Sequence, residues 1–215
     1  MALNTSSWEY RVKTSHPGIW QECLETPTLE ANQEVYQRWH TSYDADLLSH
    51  GYSAPAQASP KQAASDLEAA IKNMSAKEGQ KAAEWSIIDV GAGTGLVGQE
   101  LARRGFTNLT ALDSSKEMLA QAERKCVYKR LIVADANDVP RPIRVRGAGA
   151  GVGGMSSQAS AVLGRAYDAA ISVGTFTPAG SIDAVVSYLR EGGLFAFTSR
   201  VDFFEDEEAG FGARL

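Results

Sequence analysis

Residues 87–98 read IIDVGAGTGLVG, an apolar pair and an aspartate followed by glycine at alternate positions. Glycines with this spacing allow a sharp turn from a strand into a helix and a close approach of the backbone to a ligand. Many loops of this kind bind phosphate at the N-terminus of the helix. Here the loop is preceded by Asp89, whose carboxylate would repel a phosphate. The segment therefore predicts a ligand-binding turn whose ligand is not a pyrophosphate.

The chain around this loop alternates between apolar segments and helical patterns. We predict helices at 94–104, at 181–193 and from residue 114 or 115, and strands at 85–90, 108–113, 130–135, 167–173 and 194–199. Strands that are apolar throughout and separated by helices form parallel sheets covered on both faces. The sequence thus predicts an α/β fold with a doubly wound, mostly parallel sheet of five strands.

Two further helices precede the glycine loop. The first is predicted to run from Ala31 to near Gly51, because large apolar residues recur at every fourth position: Val35, Trp39, Tyr43 and Leu47. The second follows the Ser59–Pro60 cap and ends at Gly79. We interpret 31–200 as one domain with a flexible glycine-rich insertion at 147–160, preceded by an irregular extension at 1–30 and followed by an acidic tail at 201–215.

Composition excludes several classes of protein. The 215 residues carry a net charge of -5 and no basic stripe, which argues against a nucleic-acid partner. The two cysteines, Cys23 and Cys126, provide neither a disulfide framework nor a zinc pattern. No segment approaches the roughly 18 apolar residues of a membrane span, and the N-terminus has no hydrophobic signal core. We therefore expect a cytoplasmic protein with no metal and no membrane partner.

The spacing around Asp89 indicates which ligand the loop binds. The pattern is D-x-G-x-G-x-G, and the third glycine of the dinucleotide pattern G-x-G-x-x-G is replaced by Leu96. A carboxylate at the end of a strand suits a ligand with a positive charge. S-adenosylmethionine carries an ammonium and a sulfonium and no phosphate. An NAD-dependent oxidoreductase is the alternative, and both the glycine spacing and Asp89 argue against it.

Acids also end the second and third predicted strands. Asp113 has the spacing of a carboxylate that accepts hydrogen bonds from ribose hydroxyls, a feature shared with NAD enzymes. Asp135 could accept from the exocyclic amine of adenine, and the Ala136 N–H could donate to a ring nitrogen. Each acid could instead be a solvated residue at a strand end or a helix cap.

The stretch from Tyr36 to Arg200 resembles class I S-adenosylmethionine-dependent methyltransferases, and more closely the Williams–Beuren-region methyltransferase-like family. The similar segments are YQRWHTSYDADL (36–47), GYSAP (51–55), IIDVGAGTGLVGQELARRGF (87–106), LDSSKEMLAQA (112–122), YDAAISVG (167–174) and EGGLFAFTSR (191–200). The resemblance implies a Rossmann-like fold and an enzyme that transfers a methyl group from this cofactor.

The resemblance also implies three groups of cofactor-binding residues. The methionine end would contact Asp89, Gly91, Ala92 and Gly93. The nucleoside would contact Asp113, Ser114, Met118, Asp135 and Ala136. The methyl group would face Val173 and Gly174. A lid over the cofactor would be formed by Tyr36, Trp39 and Tyr43, although an aromatic stripe at helical spacing could equally be core packing.

The methyl acceptor and the catalytic residue stay open. The acceptor could be a small molecule or a protein, and His40 and His50 are candidate bases that could equally be structural. Related methyltransferases continue past the fifth strand through a helix and a final strand pair, for which too few residues remain here. We therefore expect either a truncated chain or an edge strand covered by a partner or a second copy. A non-catalytic protein that binds S-adenosylmethionine is the alternative function.

Overall fold

The computed structural model describes residues 18–19, 22–23, 29–49, 60–136, 167–174 and 182–198. The predicted insertion at 147–160, the tail at 201–215 and His50 lie outside the described residues. None of the helices within the described ranges is both long and apolar enough to cross a membrane.

Five parallel strands form one sheet. They are β1 (Ile87–Val90), β2 (Leu109–Asp113), β3 (Arg130–Val133), β4 (Tyr167–Ser172) and β5 (Leu189–Phe197). Their order is β3-β2-β1-β4-β5. All five predicted strands are confirmed, together with the doubly wound Rossmann-like class.

The strand order reverses direction between β1 and β4. The chain first builds outward from β1 through β2 to β3, and then places β4 on the other side of β1. Asp89 stands in the middle of this arrangement, paired with Ala111 of β2 and with Ile171 of β4. In open parallel sheets, ligands bind at the carboxyl ends of the strands where the order reverses. The fold therefore places the glycine loop at the expected binding crevice.

Helices cover the sheet. They are α1 (Leu29–Trp39), α2 (Tyr43–Ser49), α3 (Pro60–Glu78), α4 (Leu96–Arg103), α5 (Lys116–Arg124) and α6 (Ile182–Val186), with a short 3-10 turn at Ala82–Glu84. The predicted helix after Pro60 is confirmed, and it ends where Gly79 adopts a left-handed φ of 74°.

Alternate residues of β1 pack into the hydrophobic clusters on opposite faces of the sheet. Ile87 packs with α3 and α4, including Leu67 and Leu101, whereas Ile88 packs with α6 residues such as Val185. This alternation follows from the two-residue period of a strand, and it explains why the strand is apolar throughout. Burying each large aliphatic side chain stabilises the fold by about 1.5–3 kcal/mol.

The predicted helix at 181–193 is wrong beyond Val186. β5 begins at Leu189, because the Tyr167 N–H donates to the Tyr188 carbonyl at 2.7 Å and draws the chain into the sheet. The Arg190 Nε then donates to Asp168 at 2.8 Å. A glycine pair follows at 192–193, and glycine is unfavourable inside a helix. Pairing with β4 therefore overrides the local helical pattern.

The single helix predicted from Ala31 to Gly51 is two helices. α1 ends at Trp39 and α2 starts at Tyr43. Around the turn, the Trp39 indole and the Ser42 hydroxyl both donate to Asp46 Oδ2 at 2.8 Å. Such side-chain bonds compete with regular helix geometry, so α1 ends before the turn at 40–42 and α2 begins after it.

Candidate functional site

The glycine loop is fastened to the neighbouring strand. The N–H groups of Gly91 and Ala92 both donate to the Leu112 carbonyl, at 2.8 and 3.1 Å. Gly95 has a φ of 87°, and a Cβ there would lie 3.0 Å from the Tyr128 ring. Glycine is required at residue 95 on both grounds, and α4 consequently starts at Leu96 and not at Thr94 as predicted.

Asp113 connects the loop to the end of β2. Its Oδ2 accepts from the Gly93 N–H and its Oδ1 from the Ser115 N–H, each at 2.8 Å. Each carboxylate oxygen has a second lone pair that can accept a further hydrogen bond. The predicted contact with ribose hydroxyls is therefore compatible with the geometry and stays a prediction.

Of the two serines after β2, Ser115 is the helix cap. Its hydroxyl accepts from the Met118 N–H at 3.2 Å, and the Met118 side chain is buried. Ser114 is half-buried beside it. The predicted roles of Ser114 and Met118 against adenine remain predictions.

Asp89 is the most enclosed acid of the site. It is only 1% exposed, and its Oδ2 accepts from the Tyr128 hydroxyl at 2.6 Å. Within the described part of the chain, no donor contacts its Oδ1. Burial raises the pKa of Asp89 to about 7, the Tyr128 hydroxyl lowers it, and the nearby Asp113 charge raises it. A buried acceptor oxygen without a donor marks a place where a cationic or N–H-bearing ligand would be stabilised.

The sequence analysis missed Tyr128. Its hydroxyl donates to Asp89 and accepts from the Gly98 N–H at 3.1 Å, so it joins the acid to the first turn of α4. A Cβ at residue 98 would lie 2.2 Å from the Tyr128 ring, which glycine alone avoids. Gly98, at the end of residues 87–98, is the feature of the sequence that could have indicated a close approach of another group to this helix.

Past β3, the predicted adenine-edge residues lie next to Tyr188. The Tyr188 hydroxyl donates to the Ala136 carbonyl at 2.6 Å. Burial raises the pKa of Tyr188 to about 12, and the charge of Asp135 contributes to the increase. Ala136 is thereby anchored through its carbonyl. The predicted contact of Asp135 and Ala136 with adenine stays a prediction.

Val173 and Gly174 follow β4, as the sequence analysis expected. Val173 is half-buried against the core on the α3 side of the sheet. The Gly174 N–H donates to the Thr198 hydroxyl at 2.9 Å, which ties this end of β4 to the end of β5. Their predicted position facing the methyl group stays a prediction.

The aromatic stripe packs as a small core of its own. The Trp39 and Tyr43 rings meet edge-on with centroids 4.8 Å apart, and Tyr36 stacks on Trp39 at 6.2 Å. Ile19 and Val35 complete this cluster. Burial raises the pKa of Tyr36 well above its usual value, with smaller contributions that include the charge of Asp113. The cluster is thus locally packed and also close to the acid of β2.

The central part of the chain is similar to known proteins. Residues 87–146 match the profile of the family described as Methyltransferase domain. Methyltransferase-like protein 27 from Homo sapiens is 32% identical over 139 residues, which cover 61% of this chain and 46% of that protein. This chain therefore spans about half the length of that curated relative.

Solved structures of similar fold include methyltransferases. The plantazolicin methyltransferase BpumL in complex with SAH is 19% identical, with a TM-score of 0.47 over 90% of this chain and 69% of that one. The DhpI–SAH complex is also 19% identical, with a TM-score of 0.47 over 80% of this chain and 70% of the other. The match of residues 87–146 to the methyltransferase-domain family and the similarity to Methyltransferase-like protein 27 agree with the resemblance of the chain to class I S-adenosylmethionine-dependent methyltransferases.

Proposed function

We propose that this protein is an S-adenosylmethionine-dependent methyltransferase. The observation that carries the proposal is the buried Asp89 carboxylate at the glycine loop, whose Oδ1 meets no donor within the described residues. The match of residues 87–146 to the methyltransferase-domain family supports the same conclusion.

The charges around the loop suit this cofactor. Asp89 and Asp113 are close enough for the charge of Asp113 to raise the pKa of Asp89. Two neighbouring acids favour a cation between or beside them, because an opposite charge stabilises both ionised forms. The ammonium group of the cofactor meets this requirement, and the pyrophosphate of a dinucleotide does not.

When bound, the cofactor supplies a methyl group that its sulfonium sulfur already activates. The residues of the chain then need to bind, align and exclude water, because the displacement itself requires no covalent help from the protein. Asp89 would hold the amino group, and Asp113 would hold the ribose while keeping the loop in place through Gly93. Val173 and Gly174 would border the acceptor side.

The acceptor is proposed only as a small molecule or a protein group. The His40 Nδ1 donates to the Gln37 carbonyl of α1 at 2.6 Å, which leaves Nε2 as the nitrogen that can accept a proton. We assign no catalytic residue. Methylation of an acceptor that is already a good nucleophile needs no general base.

Calorimetric titration tests the cofactor. The wild-type protein should bind S-adenosylhomocysteine, whereas Asp89→Asn and Asp113→Ala should each weaken binding by about tenfold or more. Glu84→Gln, which removes an exposed carboxylate remote from the loop, is the matched control and should bind as wild type. Binding of NADH together with no response to S-adenosylhomocysteine would overturn the proposal in favour of an oxidoreductase.

Turnover requires a separate experiment. Incubation with methyl-labelled S-adenosylmethionine and a cell extract, followed by mass spectrometry, should identify the molecule that gains the label. Cofactor binding without labelling of any small molecule or protein would instead support a non-catalytic binding protein.

A further inference from the structure

The N-terminal helix pair has its own apolar core. Its buried residues are Ile19, Val35 and Trp39, and the partly buried Cys23, Tyr36 and Tyr43 pack against them. Among the described residues, the clusters that line the sheet include none of these side chains. Apolar packing therefore holds this cluster together internally, and the attachment of the helix pair to the rest of the fold includes contacts of α1 with α5.

Asp44 makes the polar part of this attachment. Its Oδ1 accepts from the Thr94 hydroxyl at 2.5 Å, and its Oδ2 accepts from the Lys125 ammonium at 2.6 Å. Thr94 lies in the glycine loop between Gly93 and Gly95, and Lys125 follows the last turn of α5. One carboxylate thus joins α2 to the loop and to the helix that follows β2.

This contact differs from an ordinary surface ion pair. Exposed pairs contribute little because water screens them. Here Thr94 is 2% exposed and the Lys125 side chain is 14% exposed, although Asp44 keeps 35% of its side-chain surface. The hydroxyl of Thr94 is directed to Asp44 by its position inside the loop. Removal of the carboxylate would leave a buried hydroxyl without this acceptor and a shielded ammonium without this counter-charge.

We propose that Asp44 is a positioning residue for the cofactor loop, acting through Thr94. It fixes the loop segment that contains Gly93 and Gly95, and it holds the aromatic cluster of Tyr36, Trp39 and Tyr43 against the site. This inference rests on the proposed function, because the loop is taken to bind the cofactor. Docking of the helix pair and binding of the ligand are then energetically linked, since each favours the same loop conformation.

The test uses S-adenosylhomocysteine and the full chain. Asp44→Ala, which removes both acceptor oxygens, should raise the dissociation constant by about tenfold. Thr94→Val, which removes only the hydroxyl and adds no charge, should give a similar increase, and Thr94→Ser should restore binding to within about twofold of wild type. The double variant Asp44→Ala/Thr94→Val should bind no more weakly than the weaker single variant, because Asp44 acts on the loop through Thr94.

A control variant and a ligand-free measurement complete the design. Glu123→Gln removes an exposed carboxylate two residues from Lys125 and should bind as wild type. Hydrogen exchange of the free protein should be faster over 29–49 in Asp44→Ala, while β1 keeps its protection. If β1 also loses protection in Asp44→Ala, the binding result for Thr94→Val alone decides whether Asp44 positions the loop.

The outcomes separate this inference from the proposed function. Binding of Asp44→Ala and Thr94→Val within twofold of wild type would overturn the role of Asp44, and so would fully additive losses in the double variant. If the wild-type protein does not bind S-adenosylhomocysteine, the proposed function fails. The role of Asp44 in docking is then decided by exchange over 29–49, and unchanged exchange there would refute it.

Discussion

The pH dependence of ligand binding provides a sharp test of Asp89. Burial gives its carboxyl a pKa of about 7, so the group is largely protonated in the free protein below neutrality. A ligand ammonium binds the ionised form and lowers the pKa in the complex. Binding must then release a proton at acidic pH. The affinity for S-adenosylhomocysteine should consequently rise as the pH increases toward 7.

The size of the effect follows from the ionised fraction. With a pKa of about 7, about 3% of Asp89 is ionised at pH 5.5 and about half at pH 7.0, so the dissociation constant should fall about 15-fold across this range. The range ends at 7.0 because the ligand's own α-amino group titrates near about 8. At pH 6, binding should release about 0.9 proton.

Calorimetry in two buffers of different ionisation enthalpy measures both the dissociation constant and the proton release. Asp89→Asn should remove most of the pH dependence, and any remaining slope reports Asp113, whose pKa burial also raises. Tyr128→Phe removes a hydrogen bond that lowers the pKa of Asp89, so its binding curve should shift to higher pH. A wild-type dissociation constant that is equal at pH 5.5 and 7.0, with no proton release, would refute this account of the site.

The same carboxyl makes a prediction about stability. A folded-state pKa of about 7, above the usual value of 3.8, means that the folded protein binds the proton more tightly than the unfolded chain. The contribution of this group to the free energy of unfolding is therefore largest below pH 3.8 and declines as the pH rises to about 7. Urea unfolding of wild type and Asp89→Asn should converge at low pH and diverge toward neutrality, in favour of the variant.

Two further predictions concern contacts away from Asp89. Gly98→Ala should lower the free energy of unfolding by about 1–2 kcal/mol, because overpacking against Tyr128 outweighs a helix-propensity gain of about 1 kcal/mol. In a Tyr128→Ala background, the same change should raise the free energy of unfolding. Urea unfolding measures both effects. Although burial raises the pKa of Asp168, hydrogen bonds from Ser86 and Arg190 hold the pKa below its usual value. Asp168→Asn should therefore lower the free energy of unfolding by about 2 kcal/mol at pH 7. This difference from wild type should shrink as the pH falls through the pKa of Asp168 in the folded protein. A stabilised Gly98→Ala single variant, or a pH-independent difference for Asp168→Asn, would contradict these assignments.

Local sequence patterns were sufficient for the sheet and the glycine loop. β1 to β4 and the predicted part of β5 are short and mostly apolar, so their identity depends little on distant parts of the chain. The neighbouring positions of Asp89 and Asp113 were also predictable, because parallel strands all present their carboxyl ends at one edge of the sheet. The helix predicted at 181–193 failed where pairing of β5 with β4 decided the conformation. No local pattern reports such pairing.

The contacts that organise the site were harder to predict from the sequence, since they join residues far apart in the chain. Tyr128 reaches Asp89 across 39 positions, and Lys125 reaches Asp44 across 81. The helix that carries Asp44 was predicted from its apolar residues at every fourth position. A polar residue between such positions is usually solvated, so nothing in the sequence indicated a contact for Asp44. Only the docking of α2 on the glycine loop gives that carboxylate a role.

The last glycine in residues 87–98 links the helix after the loop to the buried acid before it. In a dinucleotide loop the third glycine permits close packing of the helix on the strand. Counted from Gly91, the first glycine after β1, that position is Leu96, and the close approach occurs at Gly98, where the Tyr128 ring occupies the space of a missing side chain. The hydroxyl that enters by this route donates to Asp89, and so it supports a buried acid at a turn where a dinucleotide enzyme needs room for phosphate. The glycine spacing and the acid are therefore parts of one arrangement, since a side chain at residue 98 would displace the group that hydrogen-bonds Asp89.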